Sequence, residues 1–302
     1  MQKMSEFVTK DQKLNQELKK SFNDAKKNEA FLHFIEKLNA NEELLMQYTS
    51  RLEDSAIEYD NCVHCKGILN CSNQIEGYAC LPIVKNEYID FKYLPCRYKK
   101  KLDKDNDYLK NIYTISIPEA IKTAKMKDIY TEDKARFKAI KYLKSFIDNP
   151  EKSKGLYLHG NFGCGKTYLI VAALNELAKK GTKSAIIFWP EFLKHLKTLF
   201  DSNETFDETI NKVMKAPILF IDDIGAENTT AWGRDEILCP ILQYRMESNL
   251  KTFFTSNLNL EELEIHLSIT KDGADLVKAK RIVERIKQLT IDLEMISQNL
   301  RK

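Results

Sequence analysis

Gly160-Asn161-Phe162-Gly163-Cys164-Gly165-Lys166-Thr167 fits the pattern G-x-x-x-x-G-K-[ST]. The preceding run, Gly155 to His159, reads as a short strand, and the following stretch, Lys166 to Lys180, reads as a helix closed by Gly181. Strand, glycine loop and helix form the context in which this pattern holds phosphate. The glycines let backbone N–H groups turn toward phosphate oxygens at a helix N-terminus, Lys166 reaches the β- and γ-phosphates, and the Thr167 hydroxyl ligates Mg²⁺. Three of the 10 glycines in the 302 residues stand in these eight positions, so a chance match explains them poorly. Gly160 through Thr167, with Tyr168 next on the helix, are the expected nucleotide-binding residues.

Two further segments belong with this loop. Ile218-Leu219-Phe220-Ile221-Asp222-Asp223 is an apolar strand ending in two carboxylates. Asp222 is expected to hold Mg²⁺, directly or through water, and Asp223 to orient or deprotonate the attacking water. The plainer alternative is a strand end carrying helix-capping acids. Thr252 to Thr255 reads as another strand, followed by Ser256-Asn257. An Asn at the carboxyl end of a parallel strand lies where ligands bind, so Asn257 is a candidate for contact with the γ-phosphate or the water; its plainer alternative is a turn residue.

Around these segments strands and helices alternate, with Ser184 to Trp189 as strand and Pro190 to Phe200 as helix. That alternation predicts an α/β fold with a parallel sheet covered by helices. One helix is expected over Glu119 to Phe146. The predicted organisation is an amino-terminal unit over 1–100, a polar linker over 101–118 and a nucleotide-binding domain over 119–302.

The amino-terminal unit reads as two short amphipathic helices between Phe31 and Leu52, broken at Asn39 to Asn41, whose apolar stripes cover a small core. Five of the seven cysteines then fall between residues 62 and 96: Cys62, Cys65, Cys71, Cys80 and Cys96. Crowded thiols on turns suit tetrahedral Zn²⁺ better than scattered burial. Cys62, Cys65, Cys80 and Cys96 are the expected ligands, with Cys71 in reserve, in a closed structural site without catalysis at the metal.

A net charge of +3 does not by itself mark a nucleic-acid binder. Its distribution is uneven, with 9 basic and 12 acidic groups in residues 1–60 against 19 and 12 in residues 61–154. No apolar run approaches the roughly 18 residues that a membrane span needs, and Met1 to Lys20 lacks a signal-peptide core, so a cytoplasmic protein without a membrane partner is expected.

The phosphate loop, Ile218 to Gly225, Thr255-Ser256-Asn257 and the stretch from Trp232-Gly-Arg-Asp-Glu-Ile-Leu through Leu242-Gln-Tyr-Arg resemble the AAA+ ATPases of bacterial replicative-helicase loaders, specifically the DnaI type. The resemblance extends to the cysteine module and so covers nearly the whole chain. It implies an ATPase that delivers a hexameric ring helicase onto single-stranded DNA, a zinc-binding amino-terminal domain that engages the helicase, and self-association through the ATPase domain. Relatives carry Asp or Glu where Asp223 stands, and a His of their zinc set falls near Tyr78 to Cys80. The resemblance further implies a DNA-touching helix, here Pro190 to Phe200 with Lys194 and Lys197, and an arginine given to a neighbouring subunit's nucleotide, for which Arg285 is the first candidate and Arg281 the second. Two other functions share parts of this pattern. One is a transposition-accessory ATPase of the IstB type; the other is a zinc-dependent adaptor that binds nucleotide without turnover.

Overall fold

The computed structural model of the protein describes residues 2–200, 203–271 and 273–300. The chain divides into two compact units, Met1–Asn106 and Asp107–Lys302.

In the first unit, helices α1 (Gln2–Ala25), α2 (Glu29–Glu36), α3 (Glu42–Met46) and α4 (Thr49–His64) are followed by the antiparallel hairpin β1 (Tyr78–Val84) and β2 (Ile89–Pro95), and then by α5 (Arg97–Asp105). Asn28 and Asn41 start α2 and α3 by accepting backbone N–H bonds on their side chains. Phe22, Phe31, Phe34, Ile35, Leu45 and Leu52 fill a core closed on one side by Ile89. The expected second helix is in fact two, parted at Gln47 and Tyr48.

The second unit is built on six parallel strands: β3 (Ile112–Ile115), β4 (Gly155–His159), β5 (Ser184–Phe188), β6 (Ile218–Asp222), β7 (Lys251–Ser256) and, after the two-residue pair β8 (Ile269–Thr270) and β9 (Gly273–Ala274), β10 (Thr290–Glu294). Their order across the sheet is β10-β4-β7-β6-β5-β3. Helices α6 (Glu119–Lys122), α7 (Phe137–Asp148), α8 (Lys166–Lys179), α9 (Trp189–Thr198), α10 (Asn203–Met214), α11 (Cys239–Glu247), α12 (Leu260–Ser268) and α13 (Leu276–Leu289) accompany the strands, and a π-helical segment, Trp232–Leu238, precedes α11. The four inner strands are apolar on both sides, as a parallel sheet covered on both faces requires. Two apolar clusters flank the sheet, one around Trp189, Phe192, Leu242 and Ile286, the other around Leu143, Phe146, Leu169 and Leu174.

Two expectations need correction. The linker placed at 101–118 divides between helix α5, a short turn in which Tyr108 is buried, and edge strand β3. The second unit therefore begins at Asp107. The helix expected over Glu119 to Phe146 is two helices with an irregular segment between them. Asn175 of α8 donates from Nδ2 to the carbonyls of Lys122 (2.9 Å) and Ala124 (2.7 Å), and Tyr168 Oη accepts from Lys125 N (3.2 Å). Those backbone groups are spent on α8 and are lost to a continuing helix.

Candidate functional site

The order of the strands brings the predicted nucleotide residues together. β4 runs into the glycine loop, β6 ends at Asp222, and β7 lies between them and ends one residue before Asn257. Gly163 (φ +71°) and Gly165 (φ +85°) take the left-handed conformation that turns the loop into α8, with Gly165 as the helix N-cap. The Lys166 side chain folds back into the loop, donating from Nζ to the carbonyls of Gly160 (2.7 Å) and Asn161 (2.8 Å) and to Asn257 Oδ1 (2.9 Å).

Asp222 is 6% exposed, and a single oxygen, Oδ1, accepts hydrogen bonds from Thr167 Oγ1 (2.7 Å) and Thr255 Oγ1 (2.5 Å). Burial pushes its carboxyl up to about 6, while the two hydroxyls pull in the opposite direction. Asp223 sits at φ +57°, a conformation held by Thr255, whose Oγ1 accepts from Asp223 N at 2.9 Å and whose carbonyl accepts from Ile224 N at 3.0 Å. Its Oδ1 accepts from Asn257 Nδ2 at 3.0 Å. Asn257 therefore touches both the loop lysine and the second carboxylate.

These groups line one cavity of about 800 Å³. Its other wall is apolar, made by Ile117, Pro118, Ile121 and Ile129, with Tyr130, Tyr168 and Arg136. Of this wall sequence reading named Tyr168 alone, and it also missed Glu191 and the carboxyl-terminal tail. Met295 N donates to His159 O (2.7 Å) and Leu300 N to Gly163 O (2.9 Å), so the tail runs along the loop and Leu300 lines the cavity. An apolar slot opening onto a glycine loop, a buried lysine and two strand-end carboxylates suits a purine nucleoside triphosphate with one divalent cation. Thr167 and Asp222, joined by a hydrogen bond of 2.7 Å, offer oxygen atoms that could hold Mg²⁺.

The IstB-like ATP-binding protein family matches residues 99–297. Along its full length the chain is 33% identical to the replicative helicase loader DnaI of Bacillus subtilis, covering 93% of that protein. The chain belongs to the DnaI family of helicase loaders. A crystal structure of DnaI superimposes with a TM-score of 0.57 at 41% identity, covering 64% of this chain and 99% of that one. A primosome component from Streptococcus pyogenes gives 0.55 at 32% identity, covering 66% and 100%. The six-stranded parallel sheet flanked by helices is thus an AAA+ P-loop-like fold of the DnaI kind.

The remaining predicted residues of this DnaI-family chain sit as follows. Arg285 is half-buried and engaged within its own chain, donating from Nε to Gln243 Oε1 (2.8 Å) and from Nη1 to Cys239 Sγ (2.9 Å). Arg281, one turn earlier on α13, is exposed. Lys278 on the same face is tied to Asp235 at 2.9 Å. On α9, Lys194 pairs with Glu191 at 2.6 Å, and Lys197 Nζ lies 5.7 Å from the centre of the Trp232 ring. Glu191 also lines the nucleotide cavity, so a lysine of the predicted DNA helix is bonded to the wall of the nucleotide site.

The cysteines group differently from the expectation. Cys62, Cys65, Cys71 and Cys96 line one cavity of about 340 Å³, and Cys80 lines another beside Glu58. The hairpin explains the separation. Ala79 and Leu94 are paired in register and face the four thiols, whereas Cys80 and Tyr93, the next pair, face the opposite side. Cys80 thus lies apart from the other four thiols, and Cys71 lies with Cys62, Cys65 and Cys96. The sulfurs of Cys62, Cys71 and Cys96 each accept an N–H, from Asn73 Nδ2 (3.3 Å), Gly77 N (3.3 Å) and Lys99 N (3.4 Å). Burial, and after it the neighbouring Cys96, Cys71 and Cys65, raises the Cys62 thiol above its ordinary value. Among the described residues no group of three or more His, Cys, Asp or Glu side chains is drawn together closely enough to hold a metal as it stands.

Proposed function

We propose that this protein is an ATP-driven loader that delivers a hexameric replicative helicase onto single-stranded DNA, with hydrolysis as the timer that releases the assembly. The observation that carries the reading is likeness over the whole chain, both units included, to a protein named a replicative helicase loader. An IstB-type transposition role rests on the residue 99–297 match alone and leaves the first unit unexplained.

In the nucleotide site, Lys166 and the N–H groups of the glycine loop bind the phosphates. Thr167 and Asp222 hold Mg²⁺, which supplies charge neutralisation on the phosphate oxygens. Asp223, positioned by Asn257 and by its left-handed backbone, orients the attacking water and accepts its proton. A cationic residue of α13 completes the site of a neighbouring subunit in a self-assembled ring or spiral. Arg281 is the better presented of the two, since Arg285 acts in trans only after leaving Gln243 and Cys239. Lys194 and Lys197 contact the DNA backbone, in the cytoplasm where the helicase is loaded.

Cys62, Cys65, Cys71 and Cys96 hold one structural Zn²⁺ in the helicase-binding unit. Four thiols in one cavity, three already accepting N–H bonds on sulfur, form a soft donor set of the kind Zn²⁺ takes. Phosphate release and helicase capture test the reading together. The parent should hydrolyse ATP and retain the helicase in an ATP-dependent way, and Asp223→Asn should bind ATP yet turn over about a hundredfold more slowly. A protein that captures the helicase equally without nucleotide would be an adaptor instead.

A further inference from the structure

Arg136, just before α7, is 1% exposed, and its Nε and Nη1 are buried without a hydrogen-bond partner. A guanidinium taken out of water with two of its N–H-bearing nitrogens unpartnered is costly to fold around, so its retention calls for an acceptor that arrives from outside the protein. Asp133, whose charge acts on Arg136, makes no hydrogen bond to it: Oδ1 accepts from Ala135 N at 2.9 Å and Oδ2 from the Ser297 hydroxyl. Arg136 lines the nucleotide cavity and lies against the flank of the glycine loop, where a Cβ on Gly165 would come within 3.3 Å of Nη2. The groups acting on its charge are Cys164, Asp133 and Tyr130, whereas Lys166, Thr167 and Asn257 bond among themselves and to Asp222 and Asp223 at the carboxylate end. Its companions in the wall, Ile117, Pro118, Ile129 and Tyr130, form a surface for a flat aromatic ring.

We propose that Arg136 is a nucleotide-contacting residue that donates N–H bonds to acceptor atoms of the nucleoside half, the base or the ribose, and so anchors the end of the ligand remote from the γ-phosphate. This rests on the ATP reading of the same cavity. The free N–H groups of the planar fork meet ring nitrogens or ribose oxygens in a dry site, where a charge-assisted bond is at its strongest.

The test measures the affinity of the full chain for ATP, ADP and inorganic tripolyphosphate, together with the unfolding temperature of the nucleotide-free protein, in the parent, Arg136→Met and Arg136→Lys. Loss of a buried charged donor should weaken ATP and ADP alike by about tenfold to a hundredfold. Tripolyphosphate should bind as in the parent. The nucleotide-free Arg136→Met protein should unfold at the same temperature or higher, since an unpaired buried cation has been removed. If that variant does not fold, Arg136→Lys carries the measurement, because it keeps the charge and loses the fork. Unchanged ATP and ADP affinity in a folded variant overturns the proposal, and so does an equal loss for tripolyphosphate, which would put the contact on the phosphates. Failure of the ATP reading itself appears separately, as a parent that binds neither nucleotide.

Discussion

Asn257 Oδ1 stands 2.9 Å from Lys166 Nζ, so the residue that follows β7 holds the loop lysine that begins α8. Through its other amide atom Asn257 also restrains Asp223. The Gly160 and Asn161 carbonyls and Asn257 Oδ1 that accept from Lys166 are neutral groups, which a γ-phosphate oxygen can replace. Asn257→Ala should therefore leave ATP affinity within a few-fold of the parent and lower turnover by about a hundredfold, as loss of a positioning group does. Asn257→Asp should fare worse, because its carboxylate pairs with Lys166 and repels Asp223. Single-turnover kinetics with labelled ATP separate the two effects.

The raised carboxyl of Asp222 gives a pH signature. Its folded value, about 6, lies above the ordinary 3.8, so the folded protein binds this proton more tightly than the unfolded chain. The associated stability is fully present below the unfolded value and is lost as pH rises through about 6. Cation binding runs the other way, since Mg²⁺ needs the ionised form. Mg²⁺-dependent ATP affinity should fall as pH drops through about 6, and Thr255→Val, which removes a hydrogen bond to the charged form, should move that midpoint upward. Titration calorimetry on either side of the midpoint reads both effects.

The carboxyl-terminal tail is part of the loop's support. A Cβ on Gly163 would stand 2.0 Å from Asn299 Oδ1, and one on Gly160 would stand 2.1 Å from the Met295 carbonyl. Gly163→Ala should push the tail off the loop and weaken ATP binding. Truncation before Ile296 should speed amide exchange at Gly163 to Thr167 while leaving β6 and β7 protected. Exchange mass spectrometry with and without ATP checks this, and equal protection of the loop in the truncated chain would count against the tail's role.

The thiol grouping separates two substitutions. Cys71→Ser should remove zinc from the purified protein and loosen the first unit, since structural zinc contributes about 10 kcal/mol or more of folding free energy. Cys80→Ser should keep a full equivalent of metal. Elemental analysis of both variants decides, and retention by Cys71→Ser would return the set to the sequence-based expectation.

What the sequence disclosed follows from burial. β4, β5, β6 and β7 are covered on both faces, so each is an apolar run that stands out from its surroundings. The edge strands β3 and β10 are hidden for the opposite reason: Asp292 and Glu294 alternate with apolar residues in β10, and β3 follows a lysine-rich helix. The loop and the paired acids were legible because their chemistry is local in sequence. That Cys80 faces away from the other four thiols was not legible, because spacing along the chain does not record which side of a hairpin a residue faces. Arg136 was invisible because its isolation is a property of the fold; in the sequence it is one basic residue among many.

The most direct measurement is helicase loading itself: the replicative helicase of the same host, offered closed circular single-stranded DNA with this protein and ATP, and the DNA-bound hexamer counted. The parent should load it in an ATP-dependent manner, and Lys166→Ala should reduce the loaded fraction by about tenfold or more. Loading by Lys166→Ala at the parent's level, or none by the parent with ATP present, would contradict the account.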